Sequence, residues 1–248
     1  MAEIILVTGG SRGIGAACCT LAARHGYDVA INYAGNEAAA AAVAAEVEGA
    51  GRRAITIRGD ISEPEDVAAM FDATEAKLGP VTAFVSNAGV INKAAPLADT
   101  PIEEIRRIID IDLTAHVICN REAVRRMAIS RGGPGGAIVN ISSKAATLFG
   151  AGGFIAYGTA KGGIDVLTQG LAREVAADGV RVNALRPGLI DTDIQDDTGI
   201  EDRIARFGPT VPMGRAGTAL EVAEAVLWLL SDRAGYVTGT VFDVAGGR

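Results

Sequence analysis

Residues 4–15 read IILVTGGSRGIG, an apolar run that passes directly into a glycine-rich turn. The run predicts a short buried strand, and the pattern that starts at Gly13 predicts a helix. Glycine permits positive φ angles and close approach of the backbone, and a helix N-terminus offers free N–H groups. These properties suit a dinucleotide pyrophosphate, although a tight strand-to-helix connection without a ligand has the same pattern. The turn residues predicted to contact it are Gly9, Ser11, Arg12, Gly13, Ile14 and Gly15.

The alternation of strand and helix continues to the end of the chain. Further apolar runs at 28–33, 53–58, 81–86, 137–142, 181–186 and 240–244 alternate with helical patterns that begin near Gly13, Asn36, Ser62, Pro101, Phe154 and Thr218. Such alternation is typical of βαβ units. We therefore predict an α/β fold, a single Rossmann-type, doubly wound parallel sheet of seven strands with helices on both faces. Residues 1–248 are expected to form one dinucleotide-binding catalytic domain.

Two local features add detail to this fold. Ser62, Glu63 and Pro64 predict a helix start in which Ser62 is the capping residue and the proline lies in the first turn. Residues 191–217 break the alternation, because they are rich in Asp, Gly and Pro and contain only a short helical piece around 201–207. A connection of this length inside a compact domain is usually functional, so we expect a substrate lid there.

Composition excludes several classes of protein. Of 248 residues, 49% are hydrophobic, which is enough for a sizeable core. A net charge of −7 argues against nucleic acid or an anionic membrane as the main partner. Cys18, Cys19 and Cys119 lack metal-ligand spacing and are expected to pack in the core, and no metal site is expected. The chain starts with a strand pattern and has no long apolar segment, so we expect a cytoplasmic protein.

The end of the second predicted strand bears on the choice of cofactor. An NAD site normally presents an acid there to the ribose 2′-hydroxyl. Here Asn32 and Tyr33, which we expect to border the adenosine, are followed by no acid until Glu37. Arg12 can supply the positive charge that a 2′-phosphate needs, unless it is simply a solvated side chain. NADP is therefore favoured over NAD.

Tyr157 and Lys161 are four residues apart in a helical pattern and so share one face. Such a pair is usually structural, but here three predicted strands end in the polar segments 86–89, 140–143 and 186–188. Open α/β sheets bind ligands at the carboxyl ends of their strands. Tyr157 and Lys161 are therefore candidates for a catalytic pair.

In order and spacing, these segments resemble the short-chain dehydrogenase/reductase family over essentially the whole chain, particularly its 3-oxoacyl-carrier-protein reductases and its glucose and other sugar dehydrogenases. The resemblance implies that Asp60 holds the adenine, that Asn87 and Ala88 border the adenosine ribose, and that Thr192 reaches the nicotinamide carboxamide. Tyr157 and Lys161 also contact the cofactor. The other contacts that it implies are Ile61, Gly89, Pro187, Gly188 and Ile190.

The resemblance also assigns the chemistry. Tyr157 exchanges a proton with the substrate oxygen, Ser143 donates a hydrogen bond to that oxygen, and Lys161 lowers the tyrosine pKa and holds the nicotinamide ribose. Lowering that pKa from about 10 to about 7 requires roughly 4 kcal/mol. One cation about 4 Å away supplies this free energy at an effective dielectric constant of about 20. Many relatives have the serine 13 residues before the tyrosine, where this chain has Lys144. We choose Ser143, 14 before, and interpret Ser142 as structural.

A second departure concerns the fourth catalytic member of the family, usually an Asn in an Asp-x-Asn-Leu-Thr pattern. This chain reads DIDLT at 110–114, so Asp112 stands in that place. In the family this residue helps to bind a water that relays protons to the lysine, partly through its backbone carbonyl. Asp112 keeps the carbonyl, loses the amide donor and adds negative charge. We expect turnover to survive, slowed, with a shifted pH profile.

The substrate is expected to be a small molecule: a sugar, polyol or ketone. The acidic lid, with Asp193, Asp196, Asp197, Glu201 and Asp202, is most simply a solvated face, or else it disfavours strongly anionic substrates and suits polyhydroxylated ones. Reduction of a 3-oxoacyl thioester is an alternative. Arg131 could dock an acidic carrier protein, but Asp178 occupies what would be the second basic position.

Two other classes are weighed against a dehydrogenase. A non-catalytic dinucleotide sensor would retain cofactor binding, with Asp112 as the mark of lost activity. An epimerase or dehydratase would use the same fold without net redox change. By analogy with the family, a homotetramer is expected, built on the long helices that begin near Pro101 and Phe154.

Overall fold

A computed structural model describes residues 3–248 of the chain. The strands are β1 (Ile4–Val7), β2 (Asp28–Tyr33), β3 (Ala54–Arg58), β4 (Ala83–Ser86), β5 (Gly136–Ile141), β6 (Val180–Pro187), β7 (Ile190–Asp191), β8 (Gly217–Thr218) and β9 (Val241–Val244). Seven of them form one parallel sheet in the order β3-β2-β1-β4-β5-β6-β9, which confirms the predicted architecture. β7 and β8 pair with each other beside it and were not predicted.

Helices cover both faces of the sheet. They are α1 (Gly13–Arg24), α2 (Glu37–Gly49), α3 (Pro64–Lys77), α4 (Ile102–Ile109), α5 (Ala115–Met127), α6 (Ile155–Val175), α7 (Arg203–Phe207) and α8 (Ala219–Leu230). A π-helical turn at Asp110–Thr114 joins α4 to α5. Side chains alternate across β1: Ile5 and Val7 pack with α1, α2 and α8, whereas Ile4 and Leu6 pack with α3, α5 and α6. A strand buried on both faces explains why the run is apolar throughout.

The strand order reverses between β1 and β4, since β2 and β3 extend the sheet on one side and β4, β5, β6 and β9 on the other. The connections after β1 and β4 therefore leave the sheet in opposite directions and open a crevice at its carboxyl edge. Ligands bind at such a switch point in open α/β sheets. The crevice lies beside the glycine-rich turn that follows β1.

Local chemistry differs from the prediction at the start of α3. Glu63 is the N-cap residue, its side chain makes no capping hydrogen bond, and Pro64 is the first helical residue. Ser62 does not cap the helix; its hydroxyl donates to Asp60 Oδ1 over 2.7 Å. The expectation of a capping serine was therefore wrong, because Ser62 lies one residue before the N-cap position and its hydroxyl is hydrogen-bonded to Asp60 instead. Thr218 does cap α8, in a capping box with Glu221.

Cys18, Cys19 and Cys119 are buried and free, as expected from their places in helical patterns. Burial raises the pKa of the Cys18 and Cys119 thiols to about 12. Within residues 3–248, no cluster of three or more His, Cys, Asp or Glu side chains is arranged to hold a metal ion. In that same part of the chain, no helix is both long and apolar enough to span a bilayer.

Candidate active site

A cavity of about 510 Å³ lies in the crevice at the carboxyl edge of the sheet. All but one of the residues proposed from the sequence for the site line it: Gly9, Ser11, Arg12, Gly13, Ile14, Asn32, Tyr33, Asp60, Ile61, Asn87, Ala88, Gly89, Asp112, Ser143, Tyr157, Lys161, Pro187, Gly188, Ile190 and Thr192. Gly15 is the exception. The fold thus brings residues that are far apart in the sequence to one cavity.

Gly15 lies beneath the glycine-rich turn, away from the cavity surface. A Cβ atom added to Gly15 would come within 2.2 Å of the Gly9 carbonyl oxygen and 2.6 Å of Asn87 Nδ2. Gly15 therefore has a packing role in the turn, and its contact with the cofactor stays a prediction. Gly9 and Gly13 have φ angles of +61° and +51°, the left-handed region that glycine adopts without strain. The turn has the close-packed shape that a pyrophosphate cradle needs.

Asn87, at the end of β4, fixes this turn to the centre of the sheet. Its Nδ2 donates to the carbonyl oxygens of Thr8 at 2.9 Å and Gly9 at 3.2 Å. The Asn87 backbone N–H donates to Thr8 Oγ1 over 2.9 Å. The amide side chain is therefore engaged in holding the turn, and Ala88 and Gly89, which follow it, line the cavity.

His116 of α5, which the sequence analysis did not single out, hydrogen-bonds to the end of β4 and to the residues that follow it. It is fully buried, with Nε2 2.8 Å from the Ala88 carbonyl oxygen and Nδ1 2.9 Å from Ser86 Oγ. Burial lowers the pKa of His116 to about 3, so the ring is neutral. Nε2 then donates to Ala88 and Nδ1 accepts from Ser86. A single His on a helix face carries no sequence signal for this role.

The adenosine end of the cavity carries no acid at the end of β2. Asn32 Oδ1 accepts from the Gly9 N–H at 3.3 Å, and its Nδ2 donates to the Gly59 carbonyl at 3.0 Å. The Asn32 side chain therefore hydrogen-bonds to the protein through both its oxygen and its nitrogen. Asp60 follows β3 and lines the cavity, and its side chain accepts hydrogen bonds from the Ser62 N–H and hydroxyl. Exposed Arg12 lies at the opposite rim, its Nη1 3.9 Å from Asp193 Oδ2 of the lid.

These features fit a nicotinamide dinucleotide. The first-turn N–H groups of α1, beginning at Gly13, have no intrahelical acceptor and face an anion site. Any side chain at Gly9 would meet Ala88, with Cβ 2.9 Å from its Cα, so the cradle admits backbone only. When bound, the dinucleotide would be held by this turn at the pyrophosphate, by Asp60 at the adenine and by Lys161 and Thr192 near the nicotinamide.

Ser143 and Tyr157 meet at the other end of the cavity. Tyr157 lies in the first turn of α6 and lines the cavity together with Ser143, whose side chain acts on the pKa of the phenol. Ser143 Oγ accepts from the Ala145 N–H at 3.1 Å, which fixes its position. Ser142 is buried, and its hydroxyl donates to the Lys161 carbonyl at 3.0 Å, so it is engaged structurally. This arrangement supports Ser143 as the serine that faces a substrate oxygen.

Asp112 forms a buried ion pair with Lys161. Its Oδ1 lies 3.1 Å from Lys161 Nζ, and the two side chains are 0% and 3% exposed. The Val90 N–H donates to the same carboxylate at 3.2 Å, and Lys161 Nζ also donates to the Ile141 carbonyl at 3.2 Å. An ammonium group has three protons. Two are thus directed at the protein, and one remains for a ligand in the cavity.

Burial raises the pKa of Tyr157 more than Lys161 lowers it, so the expected effect of the lysine is present but the net shift is upward. Burial raises the pKa of Tyr157 above its ordinary value; Lys161 opposes this, Asp112 adds to it, and Ser143 and Arg203 oppose it. Burial alone would lower the pKa of Lys161, but the Asp112 carboxylate raises it, so the lysine stays protonated. Asp112 therefore cancels part of the field that Lys161 exerts on the phenol.

Arg203, at the start of α7, is a cavity residue that the sequence analysis missed. Its guanidinium lies 4.8 Å above the Phe154 ring centroid, and Nη1 donates to Gln195 Oε1 at 3.0 Å. The residue before it, Asp202, has a φ of +49°, a strained conformation for a residue other than glycine. Charged residues in a polar loop give no sign of which will turn inward, so the sequence offered no signal for Arg203.

Comparison with known proteins places the site in a family context. The family model described as "Enoyl-(Acyl carrier protein) reductase" matches residues 9–248. The uncharacterized oxidoreductase YgfF of Escherichia coli is 46% identical over 99% of both chains. Cis-4-hydroxycyclohexanecarboxylate dehydrogenase of Sinomonas cyclohexanicum is 38% identical over 99% of this chain and 96% of its own.

Solved structures agree with this result over nearly the whole chain. A short-chain type dehydrogenase/reductase from Mycobacterium marinum superposes with a TM-score of 0.92 at 32% identity, covering 99% of this chain and 94% of its own. A 3-ketoacyl-(acyl-carrier-protein) reductase from Brucella melitensis, complexed with NADH, gives 0.91 at 29% identity over 99% and 98%. A blue fluorescent protein from a metagenomic library, in complex with NADPH, gives 0.88 at 33% identity over 99% and 97%.

Proposed function

The chain is an oxidoreductase that belongs to the short-chain dehydrogenase/reductase family, and we propose that it uses NADP(H) to interconvert a carbonyl and a secondary alcohol on a small sugar, polyol or ketone. The observation that carries the proposal is the convergence of Ser143, Tyr157 and Lys161 on one cavity with the glycine-rich turn. When bound, the nicotinamide supplies or accepts the hydride.

Tyr157 handles the proton of the reaction. In reduction its phenol gives a proton to the substrate oxygen as the carbonyl carbon gains hydride, and in oxidation the phenolate removes the alcohol proton. Ser143 donates a hydrogen bond to the same oxygen, where negative charge develops. Lys161 stabilises the phenolate with its charge, and its remaining proton is available to the nicotinamide ribose. We propose that Asp112 holds the lysine in this orientation.

Preference for NADP rests on the adenosine end of the cavity. Tyr33, Ala34, Gly35 and Asn36 line it where an NAD site would present a carboxylate, so no acid at this position repels a 2′-phosphate. Arg12 also lines the cavity, with exposed Asp193 3.9 Å from its guanidinium, and is the cation proposed to bind the 2′-phosphate. The solved relatives include one complex with NADH and one with NADPH, so the preference is a proposal for this chain.

Two alternatives remain for the test. Reduction of a 3-oxoacyl thioester is supported by the similarity to the 3-ketoacyl-(acyl-carrier-protein) reductase from Brucella melitensis, but Asp178 stands where a second basic docking residue would be needed beside Arg131. A non-catalytic sensor would bind the dinucleotide and turn nothing over.

Turnover by Tyr157→Phe separates these possibilities. We expect wild-type protein to change the nicotinamide absorbance with at least one carbonyl or alcohol from a panel of sugars, polyols, ketones, hydroxy acids and β-ketoacyl thioesters. The Tyr157→Phe variant should lose at least about 100-fold in rate, because it lacks the proton donor, and should still bind NADPH. Undiminished turnover by this variant would refute the assigned role of Tyr157. Binding without any wild-type turnover would favour the sensor.

A further inference from the structure

Arg203 stands out among the partly buried arginines by what it does not contact. Arg107, Arg126 and Arg186 each pair with a carboxylate within residues 3–248. Arg181 instead donates to backbone carbonyls at the end of α8. Arg203 has no carboxylate at ion-pair distance in that part of the chain, and one hydrogen bond, to Gln195, is found for its five N–H donors. Its remaining donors are available to a ligand.

The guanidinium is held in place for such a ligand. It stacks on Phe154, which is buried and immediately precedes the helix that carries Tyr157. Gln195, which accepts from Arg203, is itself fixed because its Nε2 donates to the Ile190 carbonyl at 2.8 Å. A partly buried, stacked guanidinium with open donors is preorganised to bind a carboxylate in the bidentate manner.

The position of Arg203 puts this cation close to the reaction. It lines the same cavity as Tyr157, and its positive charge lowers the pKa of that phenol. Arg248 lines the cavity as well, and its charge acts on Arg203. Asp197 of the lid also lines the cavity but is exposed to water, which screens its charge. The field at this end of the cavity therefore favours an anion.

Five apolar side chains also line the cavity. They are Val90, Ile91, Leu148, Ala151 and Phe154, of which Phe154 stacks on Arg203 and Val90 packs in one cluster with Tyr157. Polyhydroxylated substrates need hydrogen-bonding groups along their length, and these side chains offer none. An apolar body with one anionic end fits this combination of apolar side chains and one cation.

On the basis of the proposed function, we infer that the substrate is a keto acid or hydroxy acid, in which a carboxylate binds Arg203 while the reacting carbon lies at Tyr157 with an apolar segment between them. This reverses the expectation, drawn from the acidic residues of the lid, that anionic substrates are disfavoured. Of those acids, Asp193 and Asp197 line the cavity but are exposed to water, and Asp196, Glu201 and Asp202 lie outside it. The arginine of the same segment is partly buried and lines the cavity.

Matched substrates and variants test this inference. The substrates are 4-oxocyclohexanecarboxylate and 4-oxopentanoate, each beside its uncharged methyl ester. The variants are Arg203→Met and, as the control, Arg206→Met, which removes the same charge from an exposed position of the same short helix, outside the cavity. Wild-type protein should favour at least one acid over its ester in kcat/KM. Arg203→Met should lower kcat/KM for that acid by about 10- to 100-fold, which corresponds to the free energy of a hydrogen bond between charged groups. It should lower kcat/KM for the ester by less than about 3-fold. Arg206→Met should resemble wild type.

A binding measurement keeps the inference testable if no carbonyl compound is turned over. Calorimetry would compare unreactive cyclohexanecarboxylate with cyclohexanecarboxamide on the protein–NADP⁺ complex. The carboxylate should bind more tightly, and Arg203→Met, but not Arg206→Met, should remove the difference. Equal binding of the two compounds, or an acid preference that survives in Arg203→Met, would overturn the inference. Absence of turnover with a retained acid preference would instead count against the proposed function alone.

Discussion

Asp112 is the residue at which this chain departs most clearly from the pattern of its family. The carboxylate contacts Lys161 directly and fixes it, but it also opposes the effect of the lysine on Tyr157. Asp112 therefore fixes the position of Lys161 but also raises the pKa of Tyr157. The second effect can be tested by itself, because it changes the pH dependence of the rate.

Replacing Asp112 by Asn should move the pH profile of alcohol oxidation. Oxidation requires the Tyr157 phenolate, so the rate rises as pH rises through the tyrosine pKa. Because Asp112 raises that pKa, its neutral replacement should shift the rising limb of kcat/KM to lower pH. The control is Asp110→Asn, an exposed residue of the same π-helical turn. A limb that stays in place in Asp112→Asn would refute the electrostatic role.

His116 should make the free energy of unfolding depend on pH in a window where the carboxylates contribute little. Its pKa is about 3 in the folded chain and about 6.5 when exposed. Below pH ~6.5 the unfolded state therefore binds more protons, so stability is complete above that pH and is lost as pH falls. Urea unfolding should show a loss of about 1 kcal/mol between pH 6 and pH 5 from this residue.

Two variants isolate that contribution. His116→Gln should flatten the pH dependence in this window, because it removes the titrating group, whereas His25→Gln, at an exposed position, should leave it as in wild type. If His116→Gln and wild type lost stability in parallel, the buried neutral histidine would not be the source.

At the scale of elements, apolar runs predicted the seven sheet strands. The central strands β1 and β4 are buried along their whole length, whereas the edge strands β3 and β9 are only partly buried but keep enough apolar residues to be recognised. The strands β7 and β8 were not predicted, because two residues are too few to show a hydrophobic period. Spacing placed Tyr157 and Lys161 on one helix face, but no pattern could show that Asp112 reaches Lys161. That contact depends on how α4 and α5 are joined at the π-helical turn. Arg203 was missed for the related reason that loop conformation is set by tertiary contacts.

The connection between β1 and α1 should tolerate no side chain at Gly15. An added Cβ would lie 2.2 Å from the Gly9 carbonyl oxygen, which forces the turn apart. Gly15→Ala should lower the free energy of unfolding by about 1–3 kcal/mol and weaken NADPH binding. Gly49→Ala is the matched control, because nothing lies within 4 Å of its Cβ at the end of α2; it should be neutral or stabilise by up to about 1 kcal/mol. Urea unfolding and NADPH fluorescence titration measure both effects, and unchanged NADPH affinity in Gly15→Ala would contradict the proposed cradle.

At the scale of the whole molecule, the outer surfaces of the long helices carry apolar side chains that one copy leaves uncovered. Val117 of α5 and Val166 of α6 are 43% and 73% exposed. A homotetramer built on these helices remains our prediction, and light scattering after gel filtration should give four times the chain mass of 25.3 kDa. Val166→Asp should yield smaller species, because it places a charge in an apolar interface. A wild-type protein that elutes as a monomer would contradict the prediction.

The measurement that tests the central claim most directly is the nicotinamide absorbance during turnover of the full panel of sugars, polyols, ketones, keto and hydroxy acids and β-ketoacyl thioesters, with NADP(H) and NAD(H) in parallel. The proposed function predicts a signal that depends on the carbonyl or alcohol, is larger in kcat/KM with NADP(H), and is lost in Tyr157→Phe. A protein that binds NADPH tightly but gives no signal with any member of the panel, or a signal that survives in Tyr157→Phe, would contradict it.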